Sequence, residues 1–503
     1  MNDDQPILIA QAQRTWRDRD PARSLVDALE SVSRAALADA DAPGLREAID
    51  TVATVPFLAA QVPDLAGMLP PHASDALCQR LGVEAKTFAA DVGGNTPQLL
   101  VNYFADRLVA GESKAVLISG AELMYTLFGA LSSGADISHW QQGGRHTSVQ
   151  LGDNRAACSD SEWAHGLVEP IRTYPLFESA LRHAAGLDQD AHMQRLGGLV
   201  SRMSKVAAAN PLAWRQQVLS AEEAIDTGGG NRMITWPYTK CMNAILAVDM
   251  AAAVVMTTVG EARRLKVDPA RWIFLRGGAA ACDIWNFSER PVLHESPALA
   301  ACARSALEQA GLSLAAIDLF DLYSCFPSAV QVACNALGLA LDDPRGVTVT
   351  GGLTLFGGPG NNYSLHAIAE VVAQLQAEKG THAVVTANGN YLTKHAVGVY
   401  SREAGTQPWA LARPDLQATI DASPRLEVDN RPRGRGTIEA CAVAFDKEMP
   451  SRGIVLGRME DGRRFLANTP RDDSAALEAL INQDPVGLQG QVTPGDKVNR
   501  FEF

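Results

Sequence analysis

The residues best equipped for chemistry gather around one glycine-rich segment, VTVTGGLTLFGGPGNNYSLHAIAEVV at 347–372. A β-branched run leads into a glycine turn and an amphipathic helix follows, which predicts strand, turn and helix. Backbone N–H groups at such a helix N-terminus suit an oxyanion or a phosphate, and the turn 357–360 contains Gly357 and Gly358. Five neutral amides fall in loops of similar character: Asn95, Asn361, Asn362, Asn388 and Asn390. Amides polarise a carbonyl without titrating. Tyr323 supplies a phenol, an acid as it stands and a base if its pKa of about 10 were lowered. His395 and His366 are the candidates nearest to titrating at neutral pH. Ser324 and Cys325 follow Tyr323, and Lys240 in WPYTK could meet a phosphate. Each also has an ordinary reading: tyrosine, histidine and cysteine as packing, asparagine as a turn former, lysine as a solvated surface charge.

These loops sit between elements that the hydrophobic pattern predicts. ILIA at 7–10 reads as a buried strand, SLVDALESVSRAALADA as an amphipathic helix and IDTVATVPFL as a second strand. Residues 85–122 read as strand, turn, helix and strand. Residues 123–230 are less regular and predict an insertion over one end of a sheet, with amphipathic helices around 176–222. WIFLRGGAAA then opens a second half that repeats the order of the first, and VTVTGGLTLFGGP and THAVVTANGN each predict a strand. Residues 406–432 are Pro-rich and read as a linker. Residues 433–503 hold short strands, glycine and aspartate turns and one helix, DSAALEALINQD, which predicts a small barrel of OB type.

Composition narrows the function classes. A chain of 503 residues implies two or three domains, and 47% hydrophobic residues allow large cores. The net charge of −13 disfavours nonspecific nucleic-acid binding. Eight cysteines with no CxxC pair fit a reducing compartment without structural zinc. An acidic N-terminal stretch and the lack of a long apolar run lead to the expectation of a cytoplasmic protein without a membrane span. No metal, flavin or nicotinamide motif is evident, because the glycine run lacks the strand–GxGxxG–helix context.

Four loops, in order, resemble those of the thiolase superfamily, and within it the thiolase-like proteins of type 1. The first is ADVGGNTPQLLV, where thiolases carry a nucleophilic cysteine at the start of a buried helix. Counting back from SGAE at 119–122 puts that cysteine at Gly94, followed by Asn95 and Thr96. No cysteine lies between Cys78 and Cys158, so a small slip in register cannot supply one. The second loop, LYSCF, matches Asn-Glu-Ala-Phe of thiolases and His-Asp-Cys-Phe of sterol carrier protein thiolases. Tyr323 stands where a residue would hold the oxyanion water, and Ser324 where the acidic residue would be. In the third loop Gly358 replaces the Gly-His-Pro histidine. In the fourth, TANGNYLTKHAVG, Ala387 replaces the Cys-x-Gly cysteine.

The resemblance covers roughly residues 5–405 and implies a duplicated α/β thiolase fold with two βαβαβαββ-type halves in αβαβα layers. The first half then spans 1–270, the second 271–405, and the OB-like domain 433–503 is the companion such relatives carry. It also implies coenzyme A or an acyl-CoA as ligand, bound non-covalently, with Gly94, Asn95, Thr96, Gly357, Gly358 and the asparagines around the thioester and Lys240 at a CoA phosphate. Acyl transfer needs a nucleophile and a base within reach, so ordinary acetyl-CoA acetyltransferase chemistry through a cysteine is not expected. Two readings follow. One is an enzyme of lipid metabolism acting on a CoA thioester by C–C bond or acyl-transfer chemistry through Tyr323, His395, Ser324 or His366. The other is a CoA-binding or carrier module without chemistry. Thiolases usually dimerise, but the appended domain could cover that interface, so monomer and homodimer both stay open.

Overall fold

The period-two runs become strands, and the strands fall into two sheets. The structure, a computed structural model, describes residues 2–409, 415–471 and 473–503. In chain order the strands are β1 (Pro6–Trp16), β2 (Ile49–Val55), β3 (Lys86–Ala90), β4 (Ala115–Leu123), β5 (Val149–Leu151), β6 (Met233–Trp236), β7 (Tyr238–Thr239), β8 (Asp249–Thr258) and β9 (Ile273–Cys282). They continue as β10 (Leu319–Asp321), β11 (His382–Gly389), β12 (Lys394–Ser401), β13 (Gly434–Asp446), β14 (Met449–Met459), β15 (Arg464–Asn468), β16 (Gln489–Thr493) and β17 (Arg500–Glu502).

The larger sheet runs β10-β11-β12-β9-β1-β8-β4-β2-β3-β5. Its halves repeat one pairing rule. β1 pairs antiparallel with β8, β8 antiparallel with β4, and β4 parallel with β2. β9 pairs antiparallel with β12, β12 antiparallel with β11, and β11 parallel with β10. The halves join where β1 meets β9, at Ile7↔Phe274 and Leu8↔Ile273. Two helices, Thr96–Val109 and Tyr363–Gln376, pack on this sheet and on each other. Along the second, Leu365, His366, Ala367, Ile368, Val371 and Val372 are all buried, so it is enclosed on nearly every side. Both begin at a candidate loop, which is how the fold brings the loops of the two halves together.

The strand expected at VTVTGG does not form. Val349 and Thr350 donate their backbone N–H groups to the buried carboxylate of Asp321 instead of to a neighbouring strand. The insertion forms the helices Pro170–Ala184 and Gln189–Ala209, after which residues 210–220 are not helical.

The C-terminal strands close a five-stranded barrel, β13-β14-β15-β17-β16 and back to β13. The helix Ser474–Asn482 lies between β15 and β16, as the OB type requires. The barrel is not a loose appendage. β13 pairs with β6, which follows the insertion, at Val443↔Trp236 and Ala444↔Thr235. Buried Arg464 donates to the backbone oxygens of Ser288 and Arg290 and to Glu439. The expected linker is packed chain: Leu426 donates to the Glu289 oxygen at 2.9 Å, and the helix Leu416–Asp421 interrupts it. Its residues 410–414 lie outside the described residues. Among the described residues no helix is long and apolar enough to cross a membrane.

Candidate functional site

The four loops converge. The Asn361 side chain accepts the Gly93 N–H at 3.0 Å and donates to the Pro56 oxygen at 3.0 Å. Ser364, in the helix after the glycine turn, donates its hydroxyl to the Gly94 oxygen. Asn95 lies between Gly93 and Gly389: its Oδ1 would be 2.4 Å from a Cβ on the first and 2.3 Å from one on the second. Only glycine at both positions lets the amide through. Thr96 secures the start of its helix by donating to the Asp91 oxygen at 2.7 Å. The Tyr323 N–H donates to Thr386 Oγ1 at 3.0 Å, tying the second loop to the fourth.

At the centre, the space beside Gly94 is filled. A Cβ on Gly94 would fall 2.0 Å from the Tyr323 hydroxyl oxygen, 2.5 Å from its Cζ and 2.6 Å from the Asn388 carbonyl oxygen. The phenol therefore occupies the space that any side chain at position 94 would need. The Tyr323 ring meets Tyr363 edge-on at 5.5 Å, and its hydroxyl makes no hydrogen bond to a described residue. Burial, then Cys325 and Glu122 nearby, push the phenol well above its ordinary pKa of 10.0. This corrects the expectation of a Tyr323 base; what is left is a neutral hydroxyl that can donate.

The glycine turn is corrected too. Gly358 donates its N–H to the Ile245 oxygen at 2.9 Å, Gly360 donates to Gly358 and Asn362 to Pro359. Asn361 donates its N–H to Glu122 at 3.1 Å. These donors are spent within the chain. The insertion lies over the turn, with Trp214 donating to the Phe356 oxygen at 2.7 Å and Arg215 to the Leu355 oxygen at 3.0 Å. A Cβ on Gly357 would meet Met250 Sδ at 2.8 Å, and one on Gly358 would meet Ala244 at 3.1 Å. The amides are partly spent: Asn388 donates Nδ2 to the Tyr174 hydroxyl at 2.9 Å and Asn362 donates to the Gly120 oxygen at 2.9 Å. Asn390 adopts φ 56°, a turn conformation that asparagine tolerates. The carbonyl oxygens of Asn95, Asn362 and Asn388 are buried and unpaired among the described residues. They present acceptors, which suit a donor and not a thioester oxygen.

The other candidates are held in contacts of their own. Ser324 Oγ accepts the Leu353 N–H at 3.3 Å beside the buried Tyr363–Asp321 pair. His366 is buried against Gln13 Oε1 at 2.9 Å, and burial lowers its pKa to about 3, so it is a neutral packing residue. His395 is buried with Asp283 at 3.4 Å and Ser296 at 3.1 Å, at the capped start of the helix Pro297–Ala310. Burial raises the Cys325 thiol to about 12, which rules out a thiolate there at neutral pH. Lys240 is exposed and lines a surface cleft of about 530 Å³ with Arg215 and Asn231, and none of the four loops lines that cleft.

Sequence reasoning missed two residues at the centre. Glu122 is fully buried and accepts the N–H groups of Leu58 at 2.9 Å and Asn361 at 3.1 Å; burial raises its pKa to about 8. It is the last residue of SGAE, so the signal was present. Tyr174 donates to the Asn390 oxygen at 2.9 Å and stacks on Phe326 with centroids 4.4 Å apart. It comes from the insertion, where no local pattern pointed to the loops.

Comparison with known proteins agrees with this geometry. The family model described as the thiolase-like protein type 1 additional C-terminal domain matches residues 415–497. The crystal structure of a monomeric SCP2-thiolase like protein type 1 from Mycobacterium smegmatis is 33% identical, covering 100% of both chains with a TM-score of 0.84. The Ltp2-ChsH2(DUF35) aldolase is 19% identical over 79% of this chain and 98% of its own, with a TM-score of 0.58. An acetyl-CoA acetyltransferase from Syntrophomonas wolfei is 14% identical over 80% of this chain and 100% of its own, with a TM-score of 0.55. The last two are alike in fold alone. No curated protein sequence matches the chain.

Proposed function

We propose a function from the premise that this chain belongs to the thiolase-like proteins of type 1: it binds coenzyme A or an acyl-CoA and does not transfer the acyl group through a cysteine. The observation that carries the second half is the Tyr323 phenol at Gly94, 2.0 Å from where a Cβ would be. Covalent catalysis needs a nucleophile with a base in reach. Here that volume holds a neutral hydroxyl, and the histidine and second cysteine positions hold Gly358 and Ala387. The first half is supported by the family and by the convergence of the same four loops.

A second reading has its own support. The Tyr323 hydroxyl lacks a partner among the described residues and is held protonated. Such a group can protonate the thioester enolate released when a β-hydroxyacyl-CoA is cleaved, while a separate base would take the proton of the β-hydroxyl. One experiment separates the readings. The purified chain is titrated calorimetrically with CoA and a panel of acyl-CoAs, and each mixture is followed by mass spectrometry. Saturable binding with every ester intact is expected. A cleavage product from a β-hydroxyacyl-CoA that Tyr323→Phe abolishes would establish the second reading. Thiolysis of a β-ketoacyl-CoA, or no heat with any ligand, would refute the proposal.

A further inference from the structure

The barrel and the insertion enclose a cleft of about 330 Å³ that lies away from the four loops. Four arginines line it: Arg172, Arg232, Arg452 and Arg471, against one carboxylate, Asp446. They come from separate elements. Arg172 lies in the first turn of the helix Pro170–Ala184, Arg232 precedes β6, Arg452 is on β14 and Arg471 follows β15. The pairing of β13 with β6 therefore assembles the cleft. Ile171, Ile234 and Phe445 supply an apolar wall.

The arginines crowd one another. The Nη1 atoms of Arg172 and Arg452 both lie 3.3 Å from where a Cβ on Gly166 would be. Burial, then Arg471 and Arg172, lower the pKa of Arg452. Arg172 is paired with Glu169 at 3.3 Å, and Arg232 donates to the backbone oxygens of Met233 and Lys447. Among the described residues, Arg452 and Arg471 form no ion pair. Gathering like charges in a half-buried cleft costs free energy unless an anion enters. Guanidinium groups match phosphate oxygens two at a time. The volume is that of a small-ligand cleft, and an aromatic ring on its wall suits a flat heterocycle.

We infer that this cleft binds a nucleotide carrying two or more phosphate groups, its phosphates on Arg172, Arg452 and Arg471 and its base against Phe445. CoA presents that chemistry in its nucleotide end, and so does a free nucleoside diphosphate. The inference stands apart from the CoA reading, because either source would fill the cleft.

The test is calorimetric titration of the full chain with CoA, ADP, inorganic pyrophosphate and a single-stranded oligonucleotide, in low and moderate salt. Saturable binding of ADP or CoA is expected at ligand concentrations up to ~1 mM. The affinity should drop about tenfold or more in R452Q/R471Q. Asp446→Asn, which removes the opposing charge, should tighten binding and raise its salt sensitivity, and it keeps the test sharp should the double variant fold poorly. ADP binding without CoA binding would uphold this inference while ending the CoA reading. CoA binding that R452Q/R471Q and Asp446→Asn both leave unchanged would uphold the CoA reading and end this inference. Preference for the oligonucleotide, or no saturable binding of ADP or CoA, would overturn it.

Discussion

Glu122 has no surface exposed, and its carboxyl is held neutral near pH 7 because burial outweighs the two N–H groups it accepts. Its pKa of about 8 in the folded chain lies above the ordinary 4.5. The folded state therefore keeps a proton that the unfolded chain gives up between these values, and stability from this group is lost as pH rises through 8. Oε1 accepts both N–H groups, so a glutamine oxygen can do the same with no charge to bury. Glu122→Gln is expected to lose less stability than the native chain between pH 6 and pH 9, ~1 kcal/mol or more of difference by urea unfolding. Equal pH slopes would show that Glu122 does not titrate in that range. At this scale the sequence was informative about position and much less so about role. The register of Gly94, Tyr323 and Gly358 could be counted from flanking motifs. Which donors were already spent could not, because Gly358 gives its N–H to Ile245 and Asn388 its amide to Tyr174, both far away in sequence.

Among elements, β15 carries a buried attachment of the barrel to the rest of the chain. It carries Arg464, buried between Glu439 of β13 at 2.8 Å and the backbone oxygens of the segment 288–291. Arg464→Ala would leave those oxygens without their donor and the carboxylate with Arg458 alone. A loss of about 3 kcal/mol is expected in chemical unfolding, with a recovery smaller than half in Arg464→Lys, whose single nitrogen cannot span acceptors that Arg464 meets through Nε, Nη1 and Nη2. A loss below ~1 kcal/mol would place the attachment elsewhere. The elements that were legible from sequence are those whose pattern is local: β1, β2, β4, β11, the barrel strands and the two central helices. VTVTGG failed as a strand for a non-local reason, the Asp321 carboxylate that takes its N–H groups. The Pro-rich segment failed as a free linker likewise, since only the folded chain brings Glu289 and Arg464 to it.

For the whole molecule, the barrel and insertion form one face through β6 and β13, and further contacts reinforce it: Arg182 with Asp484, and the Asn499 N–H on His165 Nε2 at 3.1 Å. A chain that satisfies this much surface internally leaves less of it for a second copy. Sedimentation equilibrium is expected to return a mass near 53.6 kDa, and a mass of twice that across micromolar concentrations would refute a monomer. The packing of Tyr323 against Gly94 also bears on how this chain could change over generations. A cysteine at 94 collides with the phenol, and a smaller residue at 323 alone opens a hole where the phenol was, so neither step by itself is favourable. A thiol at 94 is therefore excluded unless both positions change together, a mutual obstruction between two side-chain positions.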